Sequence, residues 1–514
     1  MNIAEIFGNG MVLQQGQPIP VWGTARAGEK ISVKIQERHA SAITGEDGKW
    51  CVYLDPLAVS YNETMIVCGQ SEKVCFENVA VGEVWIAAGQ SNMEFHMRYD
   101  RDYPQEVSHC SNPNIRFYDT PVVTTEKMRE LFDYSETFGF WRTCNAENLQ
   151  WYSAVGYYFA KYLEMDLNVP VGIIGLNCGG SRSVCWMDEE TASATGAEWL
   201  EDYENGLRNI PDIPKAEANF YRTPMADHTH PFDNPVSDRM MYGIPVEELA
   251  ESFKKMEEMG GLVIGPWHEW RPCGLYHMMV ERVCPYTVKG VLWYQGESDE
   301  DHPHIYAKML SGLISLWRRK WNCNLPFIVA QLAPLGKVIG NGGREYPVLR
   351  SQQDLVSKTI PDVFLASTGD VGSTYDIHPK EKQPVGRRMA LLARGHVYNE
   401  KDLLCDAPVP DHAEINDRTI SVYFKNAAGG LILKGDIASY IEIVSMVGER
   451  ASVETVKNIS VRDNVLDILM ENAPERPLEI RFAQIPYYHM DLYNKSDVPA
   501  LPFIFKMDGS LNDK

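Results

Sequence analysis

The amino-acid sequence predicts an α/β protein in which a parallel sheet, with helices on both faces, lies between two β-rich regions. Three patterns lead to this prediction. Short alternating runs between turns fill the first 80 residues, strand–loop–helix units follow from about residue 81, and β patterns return beyond residue 402. Alternating β and α segments are typical of a parallel sheet covered by helices. The 514 residues are therefore divided into an N-terminal β domain (1–80), an α/β domain (81–401) and a C-terminal β domain (402–514).

The two terminal regions are predicted as β structure because their apolar residues alternate with polar ones. Ile31–Ile35 and Trp50–Leu54 show this period in the N-terminal region, and Thr419–Phe424 and Leu478–Phe482 show it in the C-terminal region. The first 80 residues contain no helical period of useful length. The chain shows no internal repeat. Both terminal regions are expected to be β-sandwich-like.

The central region contains short apolar runs that end in polar loops, alternating with longer amphipathic segments. The predicted strands are Glu83–Ala88, Val171–Leu176, Val288–Tyr294, Phe327–Leu332 and Val363–Ser367. The predicted helices are Ser153–Glu164, Ile305–Trp321, Pro347–Thr359 and Lys382–Val397. Residues 188–285 interrupt this series with a polar, aromatic stretch that includes an amphipathic helix over Val246–Glu258. We interpret them as an insertion that forms a lid or a substrate wall.

Charge and composition exclude several classes of partner. The formal net charge of −22 disfavours nucleic acids and anionic membrane surfaces, which both attract cationic proteins. No apolar stretch approaches the ~20 residues that span a bilayer. The eleven cysteines are odd in number and contain no Cys-x-x-Cys pair, which argues against a disulfide framework. The first residues lack the features of a signal peptide, so we expect a cytoplasmic protein, or a periplasmic or secreted one if a leader was removed.

Polar residues at the ends of the predicted strands have the chemistry of a serine hydrolase. The carboxyl ends of parallel strands share one edge of a sheet, where ligands bind. The residues expected there are Ser91, the pair Gly179 and Gly180, Gln295, Glu297, Asp376 and His378. A serine hydroxyl needs a base, which His378 can supply, and the histidine needs a carboxylate that holds one tautomer. Either Asp376 or Glu297 could serve.

The developing oxyanion needs preorganised donors. The backbone N–H of Ser91, an N–H of the Gly179–Gly180 loop and the Gln295 amide are suitable. The serine does not lie in a Gly-x-Ser-x-Gly elbow, so a nucleophile-elbow hydrolase is excluded.

Several long motifs in this order resemble those of the SGNH hydrolase superfamily, and within it the sialate O-acetylesterase and carbohydrate acetylesterase group. They are Gly82–Glu94 (GEVWIAAGQSNME), Gly179–Ser181 with Trp186, Trp293–Ser298 (WYQGES), and Asp376–Pro379 with Lys382–Gln383. The segments Met11–Gln14, Val21–Gly23, Asp491–Lys495 and Pro502–Phe503 extend the similarity to both terminal regions. The resemblance covers most of the chain apart from the insertion.

The resemblance implies an SGNH-type, flavodoxin-like three-layer α/β/α core and an esterase that removes acetyl groups from sugars without a metal or other cofactor. It implies that Ser91 is the nucleophile, that His378 is the base, and that Gly180 and Gln295 lie near the oxyanion. Gln90, Asn92 and Gly179 are expected to contact the substrate.

The chain also departs from the family pattern. Tyr375 stands three residues before the histidine, where relatives usually have an acid, so the identity of the orienting carboxylate stays open between Asp376 and Glu297. Gln295 replaces an oxyanion asparagine, and Val184 replaces a glutamate found in relatives two residues before the tryptophan.

The expected substrate is an O-acetylated sialic acid, most simply the 9-O-acetyl form, and Arg182 is the candidate partner for its carboxylate. Acetylated xylo- or manno-oligosaccharides are the alternative substrates, and a noncatalytic glycan-binding protein is the alternative of another class. The pairs His228 with His230 and His302 with His304 have metal-like spacing but no third ligand, so no metal site is predicted. The sequence allows a homo-oligomer.

Overall fold

The chain divides into two compact units. The computed structural model describes residues 1–123, 125–223, 226–232, 235–243, 245–258, 262–336, 343–447, 450–474 and 478–507. The first unit contains residues 1–298 and 308–327, and the second contains residues 299–307 and 328–514. This division does not test the three-domain boundaries near residues 80 and 402, which stay predictions.

The first 89 residues form eight strands, mostly antiparallel. Their bounds are β1 (Asn2–Ile3), β2 (Val12–Gln14), β3 (Ile19–Thr24), β4 (Lys30–Ile35), β5 (Arg38–Ile43), β6 (Lys49–Leu54), β7 (Ser60–Cys68) and β8 (Lys73–Gly89). Strands β1, β3 and β6 form one sheet, while β4 pairs with β5 and β7. Buried and exposed residues alternate along β4 and β6, which confirms the alternation predicted there.

Strand β8 is 17 residues long and pairs with strands of the N-terminal β region and with strands of the central sheet. Its first part pairs antiparallel with β7, and Ala80–Gly82 pair in parallel with β2. Its last part pairs in parallel with two strands of the central sheet, and every residue from Val79 to Gly89 is buried. Strand β8 therefore connects the N-terminal β region directly to the central sheet.

The central sheet of the first unit has the order β10, β9, β11, β8, β12. The added bounds are β9 (Asn112–Asp119), β10 (Trp141–Cys144), β11 (Val171–Asn177) and β12 (Gly290–Tyr294). Strands β9, β11, β8 and β12 are parallel, and β10 is antiparallel to β9. The strands predicted around residues 83, 171 and 288 are confirmed, whereas β9 and β10 were not predicted.

Helices of the first unit follow the strands or lie within the insertion. They are α1 (Ser91–Glu94), α2 (Tyr103–Glu106), α3 (Glu126–Leu131), α4 (Ala154–Leu167), α5 (Glu189–Thr195), α6 (Ala197–Arg208), α7 (Ile213–Phe220), α8 (Pro235–Tyr242), α9 (Val246–Glu258) and α10 (Glu281–Val283). The predicted helices around residues 153 and 246 correspond to α4 and α9. The Ser153 hydroxyl accepts the Gly156 N–H and caps α4, as expected for serine at this position.

The second unit combines two further strand–helix pairs with the C-terminal β region. Its elements are β13 (Phe327–Ala330), α12 (Tyr346–Thr359), β14 (Val363–Ala366) and α13 (Gln383–Leu392). Helix α11 (Tyr306–Trp321) begins in this unit, but from residue 308 onward it belongs to the first unit. Strands β13 and β14 are neighbours, and α13 continues into a π-helical turn over Ala393–Val397. The helices and strands predicted over this stretch are confirmed, with ends that differ by a few residues.

The described residues of the C-terminal region form ten strands. They are β15 (Val409–Asn416), β16 (Thr419–Lys425), β17 (Ile432–Leu433), β18 (Ile441–Val447), β19 (Arg450–Glu454), β20 (Val456–Arg462), β21 (Val465–Met470), β22 (Leu478–Phe482), β23 (Leu492–Tyr493) and β24 (Phe503–Lys506). Two four-stranded sheets have the orders β15-β16-β21-β20 and β19-β18-β22-β24. Their buried aliphatic and aromatic residues form one shared core. In the described part of the chain, no helix has the length and apolar character needed to cross a bilayer.

Arg116 on β9 connects the central sheet to the N-terminal β region through hydrogen bonds. Its side chain is buried, and the guanidinium donates to the carbonyl oxygens of Gly10 (3.0 Å), Tyr61 (3.1 Å) and Asn78. The guanidinium thereby satisfies backbone acceptors from three separate segments. Buried carbonyl groups that lose such donors are costly, because water cannot replace them.

We expect Arg116→Met to destabilise the protein by about 3 kcal/mol, because it leaves several buried carbonyl groups without a donor. The free energy of unfolding, measured by urea denaturation, checks this. The matched control is Arg101→Met at an exposed site, which should change it by less than about 0.5 kcal/mol. Equal effects of the two substitutions would contradict the role of Arg116.

Candidate active site

Ser91 lies at the first turn after the end of β8. Gly89 ends the strand, and the backbone N–H of the next residue, Gln90, donates to the Tyr294 carbonyl oxygen at 3.1 Å. Gly89 has a φ of 140°, and a Cβ at this position would lie 2.1 Å from that same carbonyl oxygen. Only glycine therefore allows β8 and β12 to approach this closely before the chain turns into α1. The Ser91 side chain is 8% exposed, at the rim of the buried core.

The strand register brings three predicted loops to one edge of the sheet. Gly89 on β8 is aligned with Asn177 on β11 and with Tyr294 on β12. The residues that follow these three positions therefore start from the same level. A Cβ built on Gly179 would lie 3.6 Å from the Ser91 Cβ, so the glycine loop is adjacent to the serine. The structure thus brings the predicted nucleophile and the predicted glycine pair together.

The glycine pair is packed against an aromatic side chain from the insertion. Gly180 has a φ of +71°, and a Cβ there would lie 2.4 Å from the indole of Trp270. Trp270 Nε1 donates to the Gly179 carbonyl oxygen at 2.7 Å. Glycine is required at position 180 both for the left-handed backbone and for this contact. Trp270 therefore supports the conformation of the glycine loop.

Gln295 is fully buried, and its side-chain amide makes hydrogen bonds to the segment that follows the glycine pair. Its Oε1 accepts the Ser183 hydroxyl at 3.1 Å, and its Nε2 donates to the Ser181 carbonyl at 3.2 Å. These bonds fix the orientation of the amide group. Its role as an oxyanion donor stays a prediction.

Gln90 and Asn92 hold the loop that contains Glu297. Gln90 Oε1 accepts the backbone N–H groups of Gly296 (3.2 Å) and Ser298 (3.3 Å). Asn92 Nδ2 donates to Glu297 Oε1 at 2.5 Å. All three side chains are at least nine-tenths buried. The observed contacts of Gln90 and Asn92 are with the protein, and their predicted substrate contacts stay predictions.

Arg182 is a half-buried cation beside the glycine pair. Its guanidinium lies over the Trp199 ring at 4.4 Å from the ring centre. Within the described residues it has no carboxylate at ion-pair distance, and its Nε makes no hydrogen bond. A stacked guanidinium without an acidic partner can accept an anionic group.

Three carboxyl groups with raised pKa values lie close to this edge. The backbone N–H of Gly179 donates to Glu94, whose pKa is nevertheless raised to about 7 by loss of hydration. The pKa values of Asp119 and Glu269 are both raised to about 8, mainly by loss of hydration and to a smaller extent by the charge of Glu94. Arg142 opposes the shift at Asp119. At neutral pH, Asp119 and Glu269 therefore hold protons most of the time.

Glu269 has an unusual neighbour. Its Oε2 lies 3.4 Å from His268 Nδ1, but that nitrogen already accepts the Trp270 N–H at 3.0 Å and so has no proton to give. The carboxyl group is 2% exposed, and Oε2 has no hydrogen-bond donor among the described residues. A neutral carboxylic acid fits this surrounding better than a carboxylate.

The predicted acid and histidine lie in the second unit. His378 is 3% exposed, and its backbone N–H donates to Asp376 Oδ1 at 2.8 Å. The same oxygen is 4.0 Å from the ring Nδ1, which is longer than a hydrogen bond, and Asp376 Oδ2 pairs with Lys380 at 2.9 Å. Tyr375, at the position where the family resemblance leads to the expectation of an acid, is 66% exposed. Asp376 thus contacts the backbone of the histidine, and its role in orienting the ring stays a prediction.

The chain is similar to known carbohydrate esterases. Residues 257–392, which include Gln295, Glu297, Asp376 and His378, match the family model described as carbohydrate esterase, sialic acid-specific acetylesterase. Sialate O-acetylesterase of Mus musculus is 26% identical over 449 residues, which are 80% of this chain and 76% of that protein. The chain is therefore similar to the sialate O-acetylesterases and to the carbohydrate esterase family model. It is accordingly a carboxylic ester hydrolase.

Two further relatives agree with this assignment. Sialate O-acetylesterase of Homo sapiens is 24% identical over 80% of this chain and 74% of that protein. A crystal structure of a carbohydrate acetylesterase from Xanthomonas citri superposes with a TM-score of 0.73 at 24% identity, covering 98% of this chain and 99% of the other. The observed α/β fold with a large mixed sheet and additional β regions is therefore that of a known esterase.

Sequence reasoning missed the carboxyl cluster of Glu94, Asp119 and Glu269. Glu94 belongs to the quoted Gly82–Glu94 motif but carried no assigned role. Asp119 ends a strand that was not predicted, and Glu269 lies in the insertion. Recognition of β9 would have placed Asp119 at the same sheet edge. No signal in the sequence points to Glu269.

We expect Glu269→Gln to remove part of the pH dependence of stability. A carboxyl group whose pKa rises from 4.5 to about 8 on folding keeps its proton longer in the folded state, so stability falls as the pH rises from about 5 to 8. The difference between the melting temperatures at pH 5.5 and pH 8 should therefore be smaller in the variant than in the parent protein, by about 2 °C or more.

The matched control is Glu46→Gln on an exposed turn, which should follow the parent protein at both pH values. Parallel melting curves for the parent and the Glu269 variant would contradict the raised pKa.

Proposed function

We propose that the chain is a serine O-acetylesterase that acts on acetylated sugars, with O-acetylated sialic acid as the first candidate substrate. The observation that carries this proposal is the position of Ser91, at the first turn after β8 and adjacent to the glycine loop. A nucleophile beside backbone N–H donors is what acyl transfer requires. The sialate O-acetylesterases among the relatives support the choice of substrate.

The reaction proceeds through an acetyl-enzyme. Ser91 Oγ bonds to the carbonyl carbon of the acetyl group while its proton passes to His378. The bond from that carbon to the sugar oxygen then breaks, and the sugar oxygen takes the proton from His378. Water, deprotonated by the same histidine, attacks the acetyl-enzyme. Acetate leaves, and the serine regains its proton.

The tetrahedral oxyanion is stabilised by the backbone N–H of Ser91, the backbone N–H of Gly180 and the Gln295 amide. Each such donor contributes about 3 kcal/mol to transition-state stabilisation. The bonds of Gln295 to Ser181 and Ser183 support this assignment, because they fix the amide before substrate arrives. Preorganised donors cost no reorganisation during the reaction.

The carboxylate that orients His378 is proposed to be Asp376 or Glu297. Asp376 is close in sequence and contacts the histidine backbone. Glu297 is held by Asn92, so it would act as a fixed carboxylate. The core that carries these residues is proposed to have the SGNH-type three-layer arrangement between β-sandwich-like terminal domains. The parallel order β9, β11, β8, β12 supports it.

Two observations bear on the sugar. Arg182 offers a guanidinium without an acidic partner in the described chain, and it would bind the carboxylate of sialic acid bidentately. Glu94 instead favours neutral sugars such as acetylated xylo- or manno-oligosaccharides, because a carboxyl group with a pKa of about 7 is partly ionised at neutral pH and would then repel an anion. Neutral oligosaccharides are therefore the second candidate.

Ser91→Ala is expected to lower kcat for 4-nitrophenyl acetate by about a thousandfold or more, because no nucleophile remains. Acetate release from an acetylated sugar should fall in parallel. Ser108→Ala, at an exposed site, is the matched control and should keep full activity. Activity retained by the Ser91 variant would refute the acetyl-enzyme mechanism.

Asp376→Asn and Glu297→Gln belong in the same series. The residue that orients the histidine should show the larger loss of kcat with little change in KM. Equal and small losses in both would exclude each of them from that role.

Arg182→Gln is expected to lower kcat/KM for 9-O-acetyl sialic acid by about tenfold or more, because a charge-assisted pair is lost. It should leave kcat/KM for an acetylated xylo-oligosaccharide unchanged. Arg182→Lys keeps the charge but loses the planar fork, and it should give an intermediate value. Arg208→Gln on the exposed face of α6 is the control. Equal losses on both substrates would contradict the role of Arg182.

A further inference from the structure

Three side chains of the second unit that take no part in the proposed reaction converge on one point. They are His396, Cys405 and Asp406, here called the His396 cluster. His396 Nε2 lies 2.9 Å from Asp406 Oδ1, and Cys405 Sγ lies 3.5 Å from His396 Nε2. Cys405 Sγ lies 3.7 Å from Asp406 Oδ2. The imidazole, the thiol and the carboxylate thus direct one donor atom each toward a common centre.

The arrangement differs from a cysteine catalytic triad. In such a triad the thiol and the carboxylate occupy opposite nitrogens of the imidazole, so that a proton can pass along the chain. In the His396 cluster both groups contact the same nitrogen, Nε2. One nitrogen carries at most one proton, so it cannot serve both groups at once. The geometry is instead that of three groups that can coordinate the same metal ion.

The spacing fits a tetrahedral metal ion. Zinc bonds of about 2.3 Å to sulfur and about 2.0–2.1 Å to nitrogen or oxygen place neighbouring ligand atoms roughly 3.3–3.6 Å apart. The two distances from Cys405 Sγ lie close to this range. The distance between His396 and Asp406 is shorter, so these two groups would move apart slightly on binding.

The surrounding structure fixes each ligand. A Cβ at Gly395 would lie 2.3 Å from Cys405 Sγ, so only glycine leaves room for the thiol. The His396 ring lies in the π-helical turn after α13 and stacks on Phe364, with 4.2 Å between ring centres and 8° between planes. Cys405 is buried, while the side chains of His396 and Asp406 are 30% and 41% exposed. Because these two ligands are in contact with solvent, an ion can reach the cluster and water can serve as a fourth ligand.

We infer that the His396 cluster binds a zinc ion or a similar transition-metal dication through His396 Nε2, Cys405 Sγ and the Asp406 carboxylate. A thiolate ligand excludes calcium and magnesium as the preferred ions. Zinc with one thiolate and one carboxylate forms a neutral centre, which suits a partly buried site. The metal is not required by the proposed esterase reaction.

The ion would tie the end of α13 to the segment that enters β15. Asn494 holds this segment from the other side, since its Nδ2 donates to the Asp406 carbonyl at 2.9 Å. Binding of a metal to the folded state alone stabilises that state. The site is therefore inferred to be structural. Sequence spacing did not reveal it, because the three ligands form none of the common metal motifs.

The test uses the full chain without a histidine tag, freed of metal by dialysis against a chelator. Zinc is titrated in competition with a chromophoric chelator, and cobalt is added separately to detect a thiolate-to-metal absorption band. We expect about one ion per chain, a cobalt–thiolate band and a rise in melting temperature with zinc.

Cys405→Ser and His396→Ala should each weaken zinc binding by about tenfold or more, and Cys405→Ser should remove the cobalt–thiolate band. The matched control is His412→Ala, because His412 also pairs with an aspartate, Asp411 at 3.1 Å, and stacks on Tyr423 at 4.3 Å, but has no thiol. It should bind zinc like the parent.

The inference is overturned if the parent chain takes up no zinc from an equimolar solution. It is equally overturned if binding is unchanged in both Cys405→Ser and His396→Ala. Circular dichroism of each metal-free variant establishes that it is folded, and His396→Ala alters a partly exposed ring, so at least one variant stays informative. Esterase activity is not a readout of this test.

Discussion

The parallel register of β8 with β11 and β12 is the constraint on which the candidate active site depends. Gly89, Asn177 and Tyr294 are aligned across three strands, so the loops that follow begin at one level. A one-residue shift in register would turn every side chain of a strand to the opposite face. The close approach of Gly89 to the Tyr294 carbonyl prevents such a shift, because any side chain at position 89 would clash with the backbone.

Hydrogen bonds between the loops hold them in the positions that the strand register gives them. Gln90 and Asn92 hold the Gly296–Ser298 loop, and Gln295 holds the segment after the glycine pair. Trp270 completes this arrangement from the insertion. Each loop therefore depends on another for its conformation. Such mutual support is how an enzyme keeps donors oriented before the substrate binds.

The sequence was sufficient for most of the central sheet and for the position of Ser91 beside the Gly179–Gly180 loop, whereas the catalytic roles of the site residues stay predictions. Buried parallel strands form short apolar runs that end abruptly in polar loops, and Val171–Leu176 is a clear example. Strand β9 was not predicted because its first three residues, Asn112–Asn114, are asparagine and proline, which are depleted in strands. Glu269 and the His396 cluster could not be predicted, because their partners are distant in sequence or follow no recognised spacing.

The pairings of β8 also bear on the order in which the protein folds. Strand β8 meets β2 about 70 residues upstream and β12 about 200 residues downstream, and Asn92 reaches Glu297 across 205 positions. Contacts between such distant positions form only after long stretches of chain have been confined, which slows folding. The serine thus acquires its surroundings late, once β12 has joined the sheet. A chain released before residue 297 has been synthesised would hold Ser91 in a loop without its partners.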